Sequence, residues 1–193
     1  MALVHIYLFR HGQTYYNRAK VFTGWKDSLL TPQGFKDAAI VGRKLKNKKF
    51  CIAIRSDLTR STQTLKQVLK YHKGQKIRVI VDPRIRERHY GKLCGLKHKT
   101  IIAKYGQKQF DIWHRSYDVP PPGGESVKMV EKRVNAFLKD LFKLAKKEKC
   151  NIAISAHGNS MRPMRRYFEH LSIQQMMKLE NPWDDYFDYT IKV

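Results

Sequence analysis

The stretch Leu3-Val4-His5-Ile6-Tyr7-Leu8-Phe9, followed directly by Arg10-His11-Gly12, decides the fold of this chain. Its apolar run predicts a buried strand that ends at an arginine and a histidine. A second apolar run, residues 150–156, is followed in the same way by His157-Gly158. Because open α/β sheets bind ligands beyond the carboxyl ends of their parallel strands, we expect the two imidazoles to share one site.

Strand-like and helix-like patterns alternate along the rest of the chain. Strands are predicted at 3–9, 50–55, 76–82, 150–156 and 186–192, and helices at 32–48, 59–72, 97–105, 107–114, 126–148 and 159–169. Thr14 and Ser126 are expected to cap a short helix and the longest helix. This alternation predicts a three-layer α/β/α sandwich with a mostly parallel sheet and room for an antiparallel edge strand. We expect residues 1–193 to form one domain, with 82–125 an excursion over the ligand end of the sheet.

Composition limits the choice of partners. The chain has 193 residues and a net charge of +23, but its basic residues are spread along helix-like segments without interleaved aromatics. We therefore expect no specific nucleic-acid partner, and a surface that steers small anionic substrates. No stretch approaches the roughly 20 apolar residues that span a bilayer, and the N-terminus has no signal-peptide pattern. The expectation is a cytoplasmic protein with no membrane partner.

The cysteine pattern agrees with a reducing compartment. Cys51, Cys94 and Cys150 are odd in number and far apart, and two of them lie in apolar, strand-like runs. The pattern predicts buried free thiols, with neither a disulfide framework nor a zinc site.

His11 is the first candidate for chemistry. A neutral imidazole nitrogen is a competent nucleophile toward phosphorus, and Arg10 offers a forked, charged donor for phosphate oxygens. His157 repeats the arrangement at the start of a predicted helix. The alternatives are a structural histidine with one hydrogen bond at position 11 and a helix-capping histidine at position 157.

Two further residues can serve the same chemistry. Arg60 is predicted near the N-terminus of the helix that follows the strand ending at Arg55, and so near the same edge of the sheet. Glu87 lies in the arginine-rich run 84–91. A carboxyl group there can exchange a proton with an ester oxygen, because an alcohol leaves a phosphate poorly without one. The alternatives are a solvated helix arginine and a salt-bridged carboxylate with a lowered pKa.

Longer strings of sequence carry a resemblance that covers the chain to about Asn181. They are Arg10-His11-Gly12-Gln13-Thr14, Phe22-Thr23-Gly24-Trp25-Lys26-Asp27, Leu30-Thr31-Pro32-Gln33-Gly34, Glu87-Arg88-His89-Tyr90-Gly91, Ile112-Trp113-His114-Arg115-Ser116-Tyr117-Asp118, Gly123-Gly124-Glu125-Ser126 and Ala156-His157-Gly158-Asn159-Ser160. Together they resemble the cofactor-dependent phosphoglycerate mutase branch of the histidine phosphatase superfamily. The resemblance implies the phosphoglycerate mutase-like fold and the interconversion of 3-phosphoglycerate and 2-phosphoglycerate in glycolysis and gluconeogenesis.

The resemblance also implies roles for individual residues. His11 would carry the phosphoryl group, Arg10, Arg60 and His157 would hold its oxygens, and Glu87 would act as general acid and base. Substrate and phosphate contacts are implied for Asn17, Thr23, Gly24, Arg88, Tyr90, Lys97, His98, His114, Arg115, Gly158 and Asn159. The expected primer is 2,3-bisphosphoglycerate, no metal is expected, and the chain would be a monomer or a homo-oligomer.

The chain departs from the family pattern in three places. His98 stands where a lysine is usual, so Lys97, His98 or Lys99 could fill that role, and His114 stands where an arginine is usual. The segment 181–186 lacks the usual Pro-Thr-Gly. Weakened substrate contacts, and a sequence that stops soon after its last predicted strand, favour the alternative of a phosphatase acting on small phosphate monoesters. A basic binding protein on an inactive enzyme scaffold is a third reading.

Overall fold

The computed structural model describes residues 2–193, which form a five-stranded sheet with helices on both faces. The strands are Leu3–Arg10 (β1), Ile52–Arg55 (β2), Arg78–Val81 (β3), Ile152–Ala156 (β4) and Tyr186–Lys192 (β5). The helices are Tyr15–Arg18 (α1), Pro32–Leu45 (α2), Thr59–Leu69 (α3), His98–Tyr105 (α4), Gln107–Arg115 (α5), Val127–Glu148 (α6), Gly158–Glu169 (α7) and Ile173–Lys178 (α8). Short 3-10 turns at Pro83–Ile85 and Gly91–Leu93 lie between β3 and α4.

The sheet has the order β3-β2-β4-β1-β5. The first four strands of this order are parallel, and β5 pairs antiparallel with β1 at the edge. The mostly parallel sheet with an antiparallel edge strand is therefore confirmed. In the β1–β4 pair Arg10 lies opposite Ala156, so the residues that follow, His11 and His157, leave the sheet side by side.

The alternation of side chains along β1 builds the two sides of the core. Val4, Ile6 and Leu8 pack with α6 and α7 on one face of the sheet. Tyr7 and Phe9 pack with α2 and α3 on the other. Burying each such side chain contributes about 1.5–3 kcal/mol, which fixes the register of β1 and hence the place of His11. The predicted three-layer sandwich is confirmed.

Local capping explains where the helices begin. The Thr14 side chain accepts the N–H of Asn17 at the start of α1, and the Ser126 side chain accepts the N–H of Met129 at the start of α6, as predicted. Helices α2 and α3 end at Leu45 and Leu69, three residues before the predicted ends at 48 and 72. Helix α8 was not predicted, because six residues give too little periodicity.

The cysteine prediction is wrong for two of the three residues. Cys51 and Cys150 form a disulfide, with Cα atoms 6.1 Å apart, while Cys94 is a free thiol. Cys51 directly precedes β2 and Cys150 lies just before β4. These strands are parallel neighbours with Ile52 opposite Ile152, so residues 99 apart in sequence meet at one end of the sheet.

No helix within residues 2–193 combines the length and the apolar character needed to cross a bilayer.

Candidate active site

His11 sits just beyond β1 with its ring almost completely buried. Its Nδ1 lies 2.8 Å from the carbonyl oxygen of Gly12. A carbonyl oxygen can only accept, so Nδ1 carries the hydrogen and donates it. Nε2 of the neutral ring therefore holds the lone pair. The backbone thus selects the tautomer that has a nucleophilic nitrogen at the far end of the ring.

His157 follows β4 and lies beside His11, with ring centroids 5.0 Å apart. Its Nε2 is 2.7 Å from the Ser56 hydroxyl, which itself accepts the N–H of Leu58. The Ser56 hydrogen is then available to Nε2, which leaves the proton of a neutral His157 ring on Nδ1. That Nδ1 is buried and has no protein partner.

Both imidazoles are held in the neutral form at neutral pH. Burial is the largest cause that depresses the pKa of His11 well below its usual value, followed by the positive charges of Arg60 and Arg10. Burial, then Arg60, depresses the pKa of His157 in the same way. A neutral His11 keeps its lone pair, which a protonated ring would lack.

Glu87 approaches the two histidines from the segment after β3. A carboxylate oxygen of Glu87 and one ring nitrogen each of His11 and His157 lie within 4.8 Å of one another. Its Oε1 accepts the backbone N–H of Arg88 (2.8 Å) and of Asn159 (3.1 Å), so the N-terminus of α7 fixes the carboxylate. This places one carboxylate oxygen in fixed hydrogen bonds beside the imidazole pair.

The arginines that flank Glu87 in sequence are turned elsewhere. Arg84 pairs with Asp82 at 2.7 Å, and Arg86 pairs with Asp57. Neither Arg84 nor Arg86 therefore forms a salt bridge with Glu87.

Arg10 and Arg60 supply positive charge without carboxylate partners. Arg60, at the start of α3 and 1% exposed, donates to the carbonyl oxygens of Gly24 (2.7 Å) and Lys26 (3.0 Å). Burial lowers the pKa of Arg60 to about 10, which leaves it charged at neutral pH. Arg10 donates through Nη1 to the carbonyl oxygen of Asn181 at 3.0 Å, and its buried Nε has no partner.

A cavity of about 270 Å³ opens beside these groups and is lined by Arg10 and Glu87. Nine further residues expected from the sequence also line it: Asn17, Thr23, Gly24, Tyr90, His98, His114, Arg115, Gly158 and Asn159. His11, Arg60 and His157 are buried and do not line the cavity, but each adjoins a residue that does: His11 follows Arg10, His157 precedes Gly158, and Arg60 donates to the Gly24 carbonyl oxygen. The fold therefore brings nearly all of the expected residues to one place, although they come from separate stretches between residues 10 and 159 of the chain.

Two further expected residues, Arg88 and Lys97, are also not part of the cavity wall. Arg88 is completely buried and donates to the carbonyl oxygens of Glu125 (2.6 Å), Trp113 (2.9 Å) and His114 (3.3 Å). Its guanidinium group joins the last turn of α5 to the residue just before the N-cap of α6. Lys97 is exposed and lies outside the lining.

Sequence reasoning missed part of the wall. Arg162 and Lys20 line the cavity, as do Leu179, Glu180, Asn181 and Trp183 from the segment between α8 and β5. Arg162 stands three residues after Asn159 on α7. Because i,i+3 side chains share one face of a helix, this spacing could have predicted Arg162 as part of the site. No sequence pattern predicts the segment 179–183 at the cavity, because its position depends on tertiary contacts. One of them is the hydrogen bond that Asn181 Nδ2 donates to the Gly158 carbonyl oxygen (3.0 Å).

His11, Glu87 and His157 form the one cluster in residues 2–193 that could ligate a metal ion. Two neutral imidazoles and a carboxylate are a zinc-type donor set. Two arginines, Arg10 and Arg60, lie near the single carboxylate of Glu87, and their positive charges oppose a cation and favour an anion. Electrostatically, the cluster suits a phosphoryl group better than a metal.

Comparisons with known proteins agree with this geometry. The family model "Histidine phosphatase superfamily (branch 1)" matches residues 6–186. A 2,3-bisphosphoglycerate-dependent phosphoglycerate mutase of Parvibaculum lavamentivorans is 40% identical over 176 residues, covering 89% of this chain and 83% of the relative. One of the same name from Nitrobacter hamburgensis is 42% identical over 176 residues, covering 90% and 84%.

Solved structures share the fold. A phosphoglycerate mutase from Bacillus anthracis superposes with a TM-score of 0.78 at 23% identity, covering 99% of this chain and 89% of the other. A putative alpha-ribazole-5'-P phosphatase from Escherichia coli gives 0.84 at 19% identity, covering 98% and 91%. The family match spans nearly the whole chain, and the chain therefore belongs to branch 1 of the histidine phosphatase superfamily.

Proposed function

We propose that this chain is a 2,3-bisphosphoglycerate-dependent phosphoglycerate mutase, which interconverts 3-phosphoglycerate and 2-phosphoglycerate through a phosphohistidine at His11. One observation carries the proposal furthest. One ring nitrogen each of His11 and His157 and a carboxylate oxygen of Glu87 lie within 4.8 Å of one another, beside a cavity lined by cations. The names of relatives at 40% and 42% identity support the same substrates.

His11 acts as the carrier of the phosphoryl group. Its Nε2 lone pair attacks phosphorus, a P–N bond forms, and the bond from phosphorus to the departing ester oxygen breaks. Arg10 and Arg60 offset the negative charge on the equatorial oxygens, which is the main requirement of such a transition state. His157 faces the same oxygens with a buried Nδ1 that has no protein partner.

Glu87 moves the proton that each transfer requires. When the phosphoryl group passes from His11 to the 2-hydroxyl of 3-phosphoglycerate, the carboxylate takes the hydroxyl proton. When the 3-phosphoryl group returns to His11, the carboxylic acid gives that proton to the departing oxygen, and 2-phosphoglycerate is left. The backbone bonds to Oε1 hold the group in place through both steps.

The residues present fit 2,3-bisphosphoglycerate as the primer. The compound is anionic at both ends, and the cavity has Arg10 at its inner end, with an unpartnered Nε, and Arg115 and Arg162 further out. When bound, it supplies the phosphoryl group that first loads His11. Arginines supply the positive charge that this phosphoryl transfer needs, so the proposal includes no metal ion.

A phosphatase is the second candidate, and one observation favours it. The outer wall holds His98 and His114, whose pKa values are lowered mainly by burial, that of His114 to about 4. Both are neutral at neutral pH and hold an anionic intermediate less firmly than permanent cations do. Water would then compete for the phosphoryl group on His11.

Phosphorus NMR separates the two candidates. The protein is given 3-phosphoglycerate, a trace of 2,3-bisphosphoglycerate and a chelator. We expect 2-phosphoglycerate with little inorganic phosphate, while mainly inorganic phosphate would refute the mutase in favour of the phosphatase. His11→Ala is the matched control and should abolish both turnover and acid-labile phosphate on the protein. Labelling that persists in this variant would remove His11 from its role.

A cytoplasmic location and a monomeric or homo-oligomeric state belong to the same proposal. Cytoplasmic thiols are usually kept reduced. The proposed location therefore implies that Cys51 and Cys150 are mostly thiols in the cell, which alkylation of free thiols at harvest would measure.

A further inference from the structure

The outer end of the cavity contains a neutral aromatic group where an anionic substrate needs positive charge. His98 and His114 lie 5.3 Å apart between ring centroids and pack against Phe22 and Phe110. Burial lowers the pKa of both histidines, and for His98 the positive charge of Lys20 adds to the effect. The positive charge at this end must come from other residues.

Three cations remain along the outer wall, and two of them are already engaged. Arg162 donates to the Leu179 carbonyl oxygen (3.1 Å) and to Oδ1 of Asn159 (3.2 Å). Arg115 lies 4.0 Å from the carboxylate of Glu180, which offsets part of its charge. Neither Lys20 nor Arg162 has a carboxylate within 4.0 Å among residues 2–193. The difference is that Arg162 donates its N–H groups to protein oxygens, whereas the Lys20 ammonium group donates to no described residue and all its donors are left for a ligand.

The backbone holds Lys20 in this position in an unusual conformation. Its φ of 51° lies in the left-handed region, which costs free energy for a residue with a Cβ. Its N–H donates to the Asn17 carbonyl (3.1 Å), and its carbonyl accepts the N–H of His98 (2.9 Å). The strained residue is thus fastened between two residues of the cavity wall. Lys149 and His170 adopt the same conformation at the ends of α6 and α7, so the left-handed Lys20 marks the end of α1, and its two backbone bonds are what fix its place.

We propose that Lys20 binds the anionic group of the substrate that lies farthest from His11 and so sets the affinity for two-ended ligands such as 3-phosphoglycerate. This rests on the proposed function. It also answers which lysine serves the outer wall. Lys20, Lys97 and Lys99 are all exposed, but of the three only Lys20 lines the cavity. The inner arginines hold the phosphoryl group that is transferred, and Lys20 holds the other end.

Calorimetric titration with two ligands tests the assignment. 3-Phosphoglycerate reaches both ends of the cavity, whereas inorganic phosphate fills only the inner end. Lys20→Gln should weaken 3-phosphoglycerate binding about tenfold, or about 1.4 kcal/mol, and change phosphate binding less than about twofold. Lys20→Arg should restore most of the loss. Lys99→Gln, which removes the same charge outside the cavity, should leave both affinities within about twofold.

The outcomes separate this inference from the function on which it rests. If wild-type protein isomerises 3-phosphoglycerate and Lys20→Gln binds it as tightly, only the Lys20 inference fails. An equal loss for 3-phosphoglycerate and for phosphate would also overturn it, because that loss is not specific to the outer end. If wild-type protein binds 3-phosphoglycerate without isomerising it, the proposed function fails and the binding comparison still decides the role of Lys20.

Discussion

Replacing Glu87 with glutamine isolates proton transfer from positioning. Oε1 of Glu87 accepts two backbone N–H groups, from Arg88 and Asn159, and the amide oxygen of glutamine can keep both bonds. The residue is 8% exposed and the two side chains have nearly the same volume, so no cavity forms. What glutamine lacks is the proton that the carboxyl group gives and takes.

The expected loss follows from that difference. A positioned general acid or base contributes about 10²–10⁴-fold to a rate. We expect kcat of Glu87→Gln to fall by that factor, which corresponds to about 2.7–5.4 kcal/mol in the barrier. The affinity for 3-phosphoglycerate should change little, and the thermal midpoint should stay close to that of wild-type protein. Single-turnover transfer from phosphorylated protein to 3-phosphoglycerate measures the chemical step directly.

An activated substrate supplies the control for this variant. A nitrophenyl phosphate has a leaving group that departs without a proton, so loading of His11 from it should be much less impaired in Glu87→Gln than loading from 2,3-bisphosphoglycerate. Single-turnover transfer at more than about a third of the wild-type rate would refute the role of Glu87. An equal loss with both phosphoryl donors would show that the substitution disturbs His11 itself rather than the proton.

Two predictions concern stability. Reducing the Cys51–Cys150 disulfide should lower the free energy of unfolding by about 2–4 kcal/mol, because the disulfide closes a long loop. Urea unfolding with and without reductant measures the difference. The loss should occur in wild-type protein and in Cys94→Ser, but not in Cys51→Ser. The pKa values of buried His11 and His157 are lowered, so the unfolded chain binds more protons than the folded protein below about pH 6.5. The free energy of unfolding should therefore fall on acidification from about pH 6.5 to 5, by up to about 1.4 kcal/mol per pH unit for each of the two histidines. The fall should be less steep in His11→Asn. A free energy of unfolding that does not change over this pH range would contradict neutral buried rings.

Local sequence predicts the inner part of the site because each residue there is tied to the end of one element. His11 follows β1, His157 follows β4, and Arg60 lies in the first turn of α3. Apolar runs and turn residues reveal those ends without any knowledge of the tertiary structure. Parallel pairing of β1 with β4 then brings two of these residues together.

Features that depend on pairing between distant segments could not be predicted in this way. Cys51 and Cys150 meet only because β2 lies beside β4, an order that periodicity does not encode. Arg88 follows Glu87 directly, yet its side chain is buried under the carbonyl oxygens of Trp113 and Glu125 while Glu87 faces the histidines. In an extended segment neighbouring side chains point in opposite directions, and sequence alone does not say which one faces the ligand.

The partners of the two inner arginines explain how one site keeps His11 reactive and still receives a phosphoryl group. Arg10 and Arg60 are bonded to carbonyl oxygens rather than carboxylates, so the nearby Glu87 offsets their two buried charges only in part. Burial is the main cause that keeps protons off His11 and His157 when no anion is present, and the charges of the two arginines add to it. An arriving phosphoryl group is attracted by the same charge, and its negative oxygens then oppose the effect of the arginines on His157. Binding therefore favours the protonated, positively charged form of His157 only when the group to be transferred is in place.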